Sequence, residues 1–88
     1  MKDVQVYSTD WCGYCTAAKK LLDERNITYV EINVQGDDEK RLWLMQTTGQ
    51  RTVPQIFIGD TPIGGYSELS ALDRAGELLE MVGVEADG

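Results

Sequence analysis

The segment that decides the fold is Val-Gln-Val-Tyr-Ser-Thr-Asp-Trp-Cys-Gly-Tyr-Cys at residues 4–15. Its first four residues alternate apolar and polar side chains and are rich in β-formers, so they predict a strand. From Gly13 to Arg25 apolar residues recur at helical spacing, which predicts a helix. A strand that runs into a helix and is followed by a second strand is typical of a parallel pair joined by a crossover helix.

The rest of the chain extends this α/β pattern to the order β-α-β-α-β-β-α. A second strand is predicted over residues 27–34, half-buried or central in the sheet, followed by a helix over 39–48 that ends at Gly49. A third strand over 55–58 and a short return strand at Ile63 come next. The last predicted elements are a helix capped by Ser67 that extends to Leu79 and a frayed end over 83–88. In the second helix, Leu42, Leu44 and Met45 should face the core. The expected fold is a single α/β domain over residues 1–88, with a four-stranded mixed sheet and helices on both faces.

Composition excludes several classes of protein and of site. The 88 residues are 42% hydrophobic and 26% charged, which fits a folded domain rather than a disordered chain, and no run approaches the roughly 20 apolar residues of a membrane span. The chain has no histidine, so Ser-His-Asp triads, Cys-His catalysis and His-ligated metals are excluded. A net charge of −7 predicts repulsion from phosphate backbones and anionic membranes, hence neither nucleic acid nor membrane as a partner.

The two cysteines of the chain, Cys12 and Cys15, are separated by two residues. A disulfide between them would close a very short loop and would remove little entropy from the unfolded chain, so the pair has little value as a structural crosslink. The start, Met1-Lys2-Asp3-Val4, lacks the apolar run of a secretory signal. We therefore expect a cytoplasmic protein, in which a close cysteine pair is catalytic or metal-binding.

The position of the pair favours thiol chemistry. Cys12 follows the capping side chains of residues 8–10 and stands where the first helix begins, where unpaired N–H groups and the helix dipole favour a thiolate and lower the pKa of a cysteine. Cys15 lies three residues on, close enough for a disulfide after a modest local adjustment. We expect Cys12 to be the exposed attacking thiol and Cys15 the resolving thiol.

Other interpretations of these residues remain open at this stage. The cysteines could be two small buried hydrophobic residues, although their place at a helix start argues against it. Two cysteines cannot close a tetrahedral zinc site within one chain, whereas two chains together could supply four thiolates, which suits an iron–sulfur cluster better than zinc. Trp11 and Tyr14, which flank the pair, either form apolar surface beside the nucleophile or are ordinary packing residues.

Three segments resemble the glutaredoxin family. They are Trp-Cys-Gly-Tyr-Cys at 11–15, Thr-Gly-Gln-Arg-Thr-Val-Pro-Gln-Ile-Phe-Ile-Gly at 48–59 and Ile-Gly-Gly-Tyr-Ser-Glu-Leu at 63–69, in the family's order and spacing. The chain is most similar to small bacterial dithiol glutaredoxins, and residues 8–11 are also similar to mycoredoxins. The resemblance implies a thioredoxin-like fold and a monomeric, glutathione-dependent thiol–disulfide oxidoreductase. Its partners would be glutathione and proteins that are disulfide-bonded or glutathionylated.

The resemblance also implies a glutathione site. The predicted binding residues are Tyr14, Arg41, Arg51, Thr52, Val53, Pro54, Gly65, Tyr66 and Ser67. The family pattern implies a cis peptide bond at Val53-Pro54, where the residues alone favour a trans proline at a strand edge. The N–H groups that begin the third helix would hold the γ-glutamyl carboxylate, and Arg41 or Arg51 the opposite carboxylate, unless these arginines are solvated surface charges.

Three departures from the family pattern leave two alternatives open. Many members have proline where Gly13 stands, lysine where Thr9 stands and aspartate where Ser67 stands. The glycine favours a carrier of a [2Fe-2S] cluster, in which Cys12 of two chains and two glutathiones supply the four thiolates. The weaker glutathione contacts favour a thioredoxin-like electron donor that is reduced by a flavin reductase.

Overall fold

Four strands and four helices form residues 2–83, the part of the chain that the computed structural model describes. The elements are β1 (Val4–Ser8), α1 (Gly13–Glu24), β2 (Val30–Asn33), α2 (Asp38–Thr48), β3 (Gln55–Ile58), β4 (Thr61–Gly64), α3 (Tyr66–Arg74) and α4 (Leu78–Val82). The predicted elements are all present, and β3 has the predicted bounds. Most of the predicted frayed end, residues 84–88, lies outside the described residues.

The sheet has the strand order β2-β1-β3-β4. β1 pairs in parallel with β2 and antiparallel with β3, which in turn pairs antiparallel with β4. The prediction of a four-stranded mixed sheet is therefore confirmed. The expectation that the second strand is half-buried or central is wrong, because β2 pairs with β1 alone at an edge of the sheet, and three of its four residues are exposed.

The second strand is also shorter than its apolar run predicted. Asn26 has a left-handed backbone (φ 58°) and ends the turn after α1. Ile27, the next residue, is 2% exposed and packs into the core before β2 begins at Val30. The alternation over residues 27–34 thus combines a buried loop residue with a short strand, and sequence periodicity does not separate the two.

The helices cover both faces of the sheet, as expected. On one face, α1, α3 and α4 pack on the inward residues of β1 and β3. The buried residues there are Val4, Val6, Ala18, Leu21, Leu22, Ile27, Ile56, Ile58, Leu69, Leu78 and Val82. On the other face, Leu44 of α2 packs with Tyr7, Val34 and Phe57. Side chains that alternate along β1 and β3 therefore supply both cores.

Only one of the three expected inward residues of α2 is fully buried. Leu44 is 3% exposed, Met45 is half-buried and Leu42 is 49% exposed, so the expectation for Leu42 is wrong. Two residues that are two positions apart in a helix point about 200° apart, so Leu42 and Leu44 cannot both face the sheet.

The C-terminal helix is separate from α3. Gly76 has φ 74°, a conformation that favours glycine, and the backbone turns there. Leu79, which was expected to continue the third helix, belongs to α4, and its neighbours Leu78 and Val82 are the fully buried residues of that helix. Within residues 2–83, no helix has the length and apolar character needed to cross a lipid bilayer.

Candidate active site

The cysteine pair lies where the central strand passes into α1. Cys12 is the N-cap of this helix and Cys15 lies in its first turn. The two are joined by a disulfide, with Cα atoms 5.2 Å apart. The Sγ atom of Cys12 accepts a hydrogen bond from the backbone N–H of Cys15 at 3.1 Å. The same N–H would favour the thiolate over the thiol in the reduced protein, since hydrogen bonds to the charged form stabilise it.

The helix cap is the sulfur itself and not one of the polar residues before it. Ser8, predicted as a possible cap, is a fully buried residue of β1 whose hydroxyl donates to Glu31. Asp10 accepts a hydrogen bond from Asn33, a residue of β2. Sequence reasoning missed this arrangement because Ser8 and Asp10 are good capping residues, and their tertiary partners are not visible in the local sequence.

The two sulfur atoms differ in accessibility. Cys12 is half-buried, and Cys15 is 2% exposed. Space is open around Gly13, where an added Cβ would meet no atom within 4 Å. A disulfide substrate can therefore reach Cys12 from solvent, whereas Cys15 reacts most readily with a sulfur that is already bonded to Cys12.

The loop before β3 lies close to the cysteine pair. The Val53-Pro54 peptide bond is cis, which confirms the expectation from the family pattern. The Val53 carbonyl oxygen lies 3.8 Å from Cys12 Sγ. The backbone of this loop thus lies beside the reacting sulfur.

Gln55 stabilises this loop through a buried hydrogen bond. It is 2% exposed, and its Nε2 donates to the Thr52 carbonyl oxygen at 2.8 Å. Because that carbonyl is only an acceptor, the NH2 group must face it, and Oε1 points away without a partner among the described residues. Sequence reasoning missed Gln55, although a glutamine at the start of a strand buried along its length is an unusual residue that signals a polar contact.

The third part of the site is the turn between β4 and α3. Gly64 has φ 107°, and a Cβ there would fall 2.7 Å from the Glu68 carboxylate. A Cβ on Gly65 would lie 3.3 Å from the Pro54 carbonyl oxygen, so the turn packs directly on the cis-proline loop. Gly65, and not Ser67, is the N-cap of α3; its N–H donates to Glu68 at 2.7 Å, and Ser67 is the second residue of the helix.

A groove of about 550 Å³ runs between these parts, and we call it the main groove. Its lining is Tyr14, Thr48, Gln50, Thr52, Val53, Pro54, Gln55, Pro62, Ile63, Gly64, Gly65, Tyr66, Ser67 and Glu68. Tyr14 stacks on Tyr66 across it, with ring centroids 6.1 Å apart. Seven of the nine predicted glutathione residues line this groove, and Thr48, Gln50 and Glu68 are further lining residues that sequence reasoning missed.

The structure does not bring the two predicted arginines into the main groove. Arg41 and Arg51 line a separate depression with Leu42 and Met45. Arg41 lies near the start of α2, seven residues before Thr48, the end of the helix that reaches the groove. At 1.5 Å per residue the two positions are about 10 Å apart along the helix axis.

A second concavity lies on the other side of the cysteine pair, and we call it the tryptophan depression. Its volume is about 510 Å³, and its lining is Thr9, Asp10, Trp11, Cys12, Gly13, Cys15, Thr16, Lys19, Glu31 and Asn33. Trp11 is fully exposed and has a left-handed backbone (φ 59°). Of the two interpretations of Trp11, exposed apolar surface beside the nucleophile is therefore confirmed, and ordinary packing is wrong.

An ion pair forms one wall of the tryptophan depression. Lys19 Nζ lies 2.9 Å from Glu31 Oε2, which also accepts the Ser8 hydroxyl at 2.7 Å. The hydrogen bond from Lys19, and then that from Ser8, lowers the pKa of Glu31 below its ordinary value. The hydrogen bond to Glu31 raises the pKa of Lys19. Both groups are therefore charged at neutral pH, and their charges offset each other.

Metal ligands are not grouped within residues 2–83. No cluster of three or more cysteine, histidine, aspartate or glutamate side chains there could hold a metal ion. An iron–sulfur cluster bound at Cys12 would therefore need ligands that do not belong to the described part of this chain.

Comparisons with known proteins agree with this geometry. The glutaredoxin family model matches residues 4–63. The chain is 46% identical over 78 residues to a glutaredoxin of Pseudomonas aeruginosa, covering 89% of this chain and 93% of the relative. It is 40% identical over 78 residues to glutaredoxin 3 of Escherichia coli, covering 89% and 94%.

Solved structures show the same likeness. The buckwheat glutaredoxin–glutathione complex has a TM-score of 0.84 at 40% identity, over 91% of this chain and 76% of that one. The glutaredoxin of Brucella melitensis has a TM-score of 0.86 at 36% identity, over 96% and 91%. The predicted thioredoxin-like fold is thereby confirmed.

Proposed function

This chain belongs to the glutaredoxin family and is a glutathione-dependent thiol–disulfide oxidoreductase, and we propose that Cys12 is its nucleophile and Cys15 its resolving thiol. The observation that carries the proposal is the half-buried sulfur at the N-cap of α1, with the buried second sulfur behind it. A helix start favours the thiolate, which is the reactive form in disulfide exchange.

We propose that glutathione binds in the main groove. The buckwheat relative was solved as a complex with glutathione. Glutathione is an extended peptide, and the Val53 backbone beside Cys12 is suited to pair with such a chain. The first N–H groups of α3, at Tyr66 and Ser67, have no partner within the helix and favour the γ-glutamyl carboxylate.

The remaining predicted contacts have supporting roles in this proposal. Tyr14, stacked on Tyr66, would form the apolar wall next to the glutathione sulfur. Arg41 and Arg51 are exposed, and we propose that they attract the opposite carboxylate from the neighbouring depression. Since exposed charges interact weakly through water, their contribution to affinity should be small.

The proposed monothiol reaction has two exchange steps. The Cys12 thiolate attacks the glutathione sulfur of a mixed disulfide, a Cys12–glutathione disulfide forms, and the target leaves as a thiolate that takes a proton from water. A second glutathione thiolate then attacks the sulfur of the bound glutathione. Glutathione disulfide leaves, so the disulfide bond of the substrate now joins the two glutathione sulfurs, and Cys12 is again a thiolate.

The proposed dithiol reaction uses both cysteines. Cys12 attacks a protein disulfide and becomes bonded to one of its sulfurs, while the other leaves as a thiolate. Cys15 loses its proton to water and attacks Cys12, which releases the reduced target and forms the Cys12–Cys15 disulfide present in the structure. Two glutathione molecules reduce that disulfide and become glutathione disulfide.

We propose further that the protein acts as a monomer in the cytoplasm on disulfide-bonded or glutathionylated proteins. One chain supplies both cysteines and the whole lining of the main groove. A reducing compartment supplies the glutathione that the cycle consumes.

The test is the reduction of the mixed disulfide of glutathione and 2-mercaptoethanol with glutathione as the sole electron donor. Turnover supports the proposal. Turnover that requires a flavin reductase instead supports the thioredoxin-like alternative and contradicts ours. In a parallel sample, anaerobic incubation with iron, sulfide and glutathione tests the cluster carrier, which requires visible cluster absorption together with dimer formation on gel filtration.

A further inference from the structure

We infer that the tryptophan depression is the docking surface for the polypeptide of a disulfide substrate, and that it prefers segments with an apolar residue and a basic residue beside the reacting cysteine. The inference rests on the proposed role of Cys12 as nucleophile. It concerns the side of Cys12 that lies away from the main groove.

Trp11 is the principal apolar contact on this surface. It is 103% exposed, compared with 45% for Trp43, the other tryptophan, which packs on Tyr7 and Phe57. Its left-handed backbone is uncommon for a bulky side chain. A large aromatic side chain that contributes nothing to the core, next to a reactive sulfur, is the kind of residue that dominates protein recognition.

The two aromatic neighbours of the cysteine pair serve different concavities. Tyr14 lines the main groove and stacks there on Tyr66, whereas Trp11 lines the tryptophan depression and not the main groove. Cys12 lines the tryptophan depression and also lies 3.8 Å from Val53 of the main groove. A peptide bonded to Cys12 can therefore extend over Trp11, while glutathione needs only the other side.

Charge defines the polar part of the preference. Lys19 and Glu31 neutralise each other at 2.9 Å. Asp10, which accepts a hydrogen bond from Asn33 at 2.9 Å, forms no salt bridge among residues 2–83. The depression thus presents one oriented carboxylate without a cationic partner, so a lysine or arginine of the substrate complements it.

The experiment measures the first exchange without glutathione. The reduced Cys15→Ser protein is mixed with peptides whose cysteine is bonded to thionitrobenzoate: Gly-Lys-Cys-Leu-Gly, Gly-Glu-Cys-Leu-Gly and Gly-Lys-Cys-Gly-Gly. Cys12 attacks the peptide sulfur, the Cys12–peptide disulfide forms, and coloured thionitrobenzoate leaves with the electron pair. The second-order rate constant is followed by absorbance, and the thionitrobenzoate disulfide of 2-mercaptoethanol serves as the small substrate.

We expect the Lys-Cys-Leu peptide to react fastest. Adding Trp11→Ala should slow this peptide about tenfold, the size of a moderate hot spot. The small substrate should change less than about twofold, a factor worth about 0.4 kcal/mol. Trp11→Phe should restore most of the rate, and Asp10→Asn should reduce the preference for lysine over glutamate. Val30→Ala, which removes an exposed apolar side chain on β2 outside the depression, is the matched control and should change none of the rates.

Equal slowing of peptide and small substrate by Trp11→Ala would overturn the inference, because Trp11 would then act on Cys12 itself. Unchanged peptide rates would overturn it as well. Failure of the proposed function has a different signature, namely no turnover of the mixed disulfide with glutathione while peptide selectivity persists.

Discussion

The starts of α1 and α2 have the same geometry and different chemistry. At α2 the carboxylate of Asp37 accepts the Lys40 N–H at 3.0 Å, and at α1 the sulfur of Cys12 accepts the Cys15 N–H at 3.1 Å. Two further acidic residues follow in the first turn of α2, whereas the first turn of α1 has none. The cap of α2 is a carboxylate that stabilises the helix, and the cap of α1 is a sulfur that becomes charged only when Cys12 is reduced and ionised.

This difference shows how a general stabilising device becomes a reactive one. In α2, the helix dipole and the free N–H groups act on three carboxylates, so the stabilisation is shared among them and serves only the fold. In α1, the same groups act on one sulfur that a substrate can reach. Without acidic residues in that turn, no neighbouring negative charge in the helix opposes the thiolate.

The largest effect should come from Cys12→Ser. Serine caps a helix well, so the start of α1 should be kept, but its hydroxyl does not ionise at neutral pH and is a poor nucleophile toward a disulfide. Reduction of the glutathione mixed disulfide should fall to the uncatalysed rate. The coupled assay measures this loss, and a folded circular-dichroism spectrum is the control. Residual turnover above background would contradict the role of Cys12.

Cys15→Ser should separate the two reactions. The backbone N–H that bonds Cys12 remains, so glutathione mixed disulfides should still be reduced at a rate within a few-fold of the original. Reduction of a protein disulfide such as that of insulin, which needs the second thiol, should be lost. If both activities disappeared together, Cys15 would be more than the resolving thiol.

Asp37→Ala tests the stabilising partner of the comparison. Loss of an N-cap costs about 1 kcal/mol, which for a domain of this size lowers Tm by about 4–8 °C. Chemical denaturation of the oxidised protein measures the loss. Activity below the melting range should be unchanged, because Asp37 lines neither the main groove nor the tryptophan depression. A loss of activity without a loss of stability would break the comparison.

Cys12→Asp would turn the start of α1 into the type found in α2. Compared with Cys12→Ser, which is equally free of a disulfide, the aspartate should raise the free energy of unfolding at pH 7 by about 0.3–1 kcal/mol through the helix dipole. The gain should shrink at high salt, because the charge is partly exposed. Equal stabilities of the two variants would show that the start of α1 does not favour an anion.

The smallest effect should come from Glu31→Gln beside α1. The pKa of Glu31 is lowered in the folded protein, so its ion pair stabilises the fold above the unfolded pKa of about 4.3, and this contribution is lost as pH falls through the folded value. The pair is about one-third exposed, so the loss at pH 7 should be well under about 1 kcal/mol. Denaturation at pH 7 and at pH 3 measures it. The difference between the variant and the original protein should be smaller at the lower pH, and a constant difference would exclude the ion pair as its cause.

Much of the fold followed from local pattern. The alternation over residues 4–7, the helical spacing after Gly13 and the glycine after α2 are short-range signals, and each predicted its element. The errors came where the environment of a residue depends on which neighbours it packs against. β1 and β3 occupy the two inner positions of the sheet, which leaves β2 at the edge, and Leu42 is exposed because Leu44 occupies the inward direction of α2.

The candidate site, like the fold, was predictable in part. The cysteine spacing and the family pattern together predicted the residues of the main groove around Val53 and Gly65. They did not reveal Gln55 beneath the loop, because its contact with Thr52 depends on a side chain that is buried only after β3 joins the sheet. They did not reveal that Arg41 and Arg51 line a depression separate from the main groove.

The sequence by itself determined the chemistry of this protein: two thiols three residues apart at the start of a helix, and no histidine to provide an alternative. Local hydrogen bonding and periodicity require no distant partner, so these features are already present in the linear chain. Only the tertiary structure decided which side of the pair has a backbone-lined groove. That side depends on segments more than 40 residues apart, such as Cys12 and Val53, which meet only when the sheet and the helices pack together.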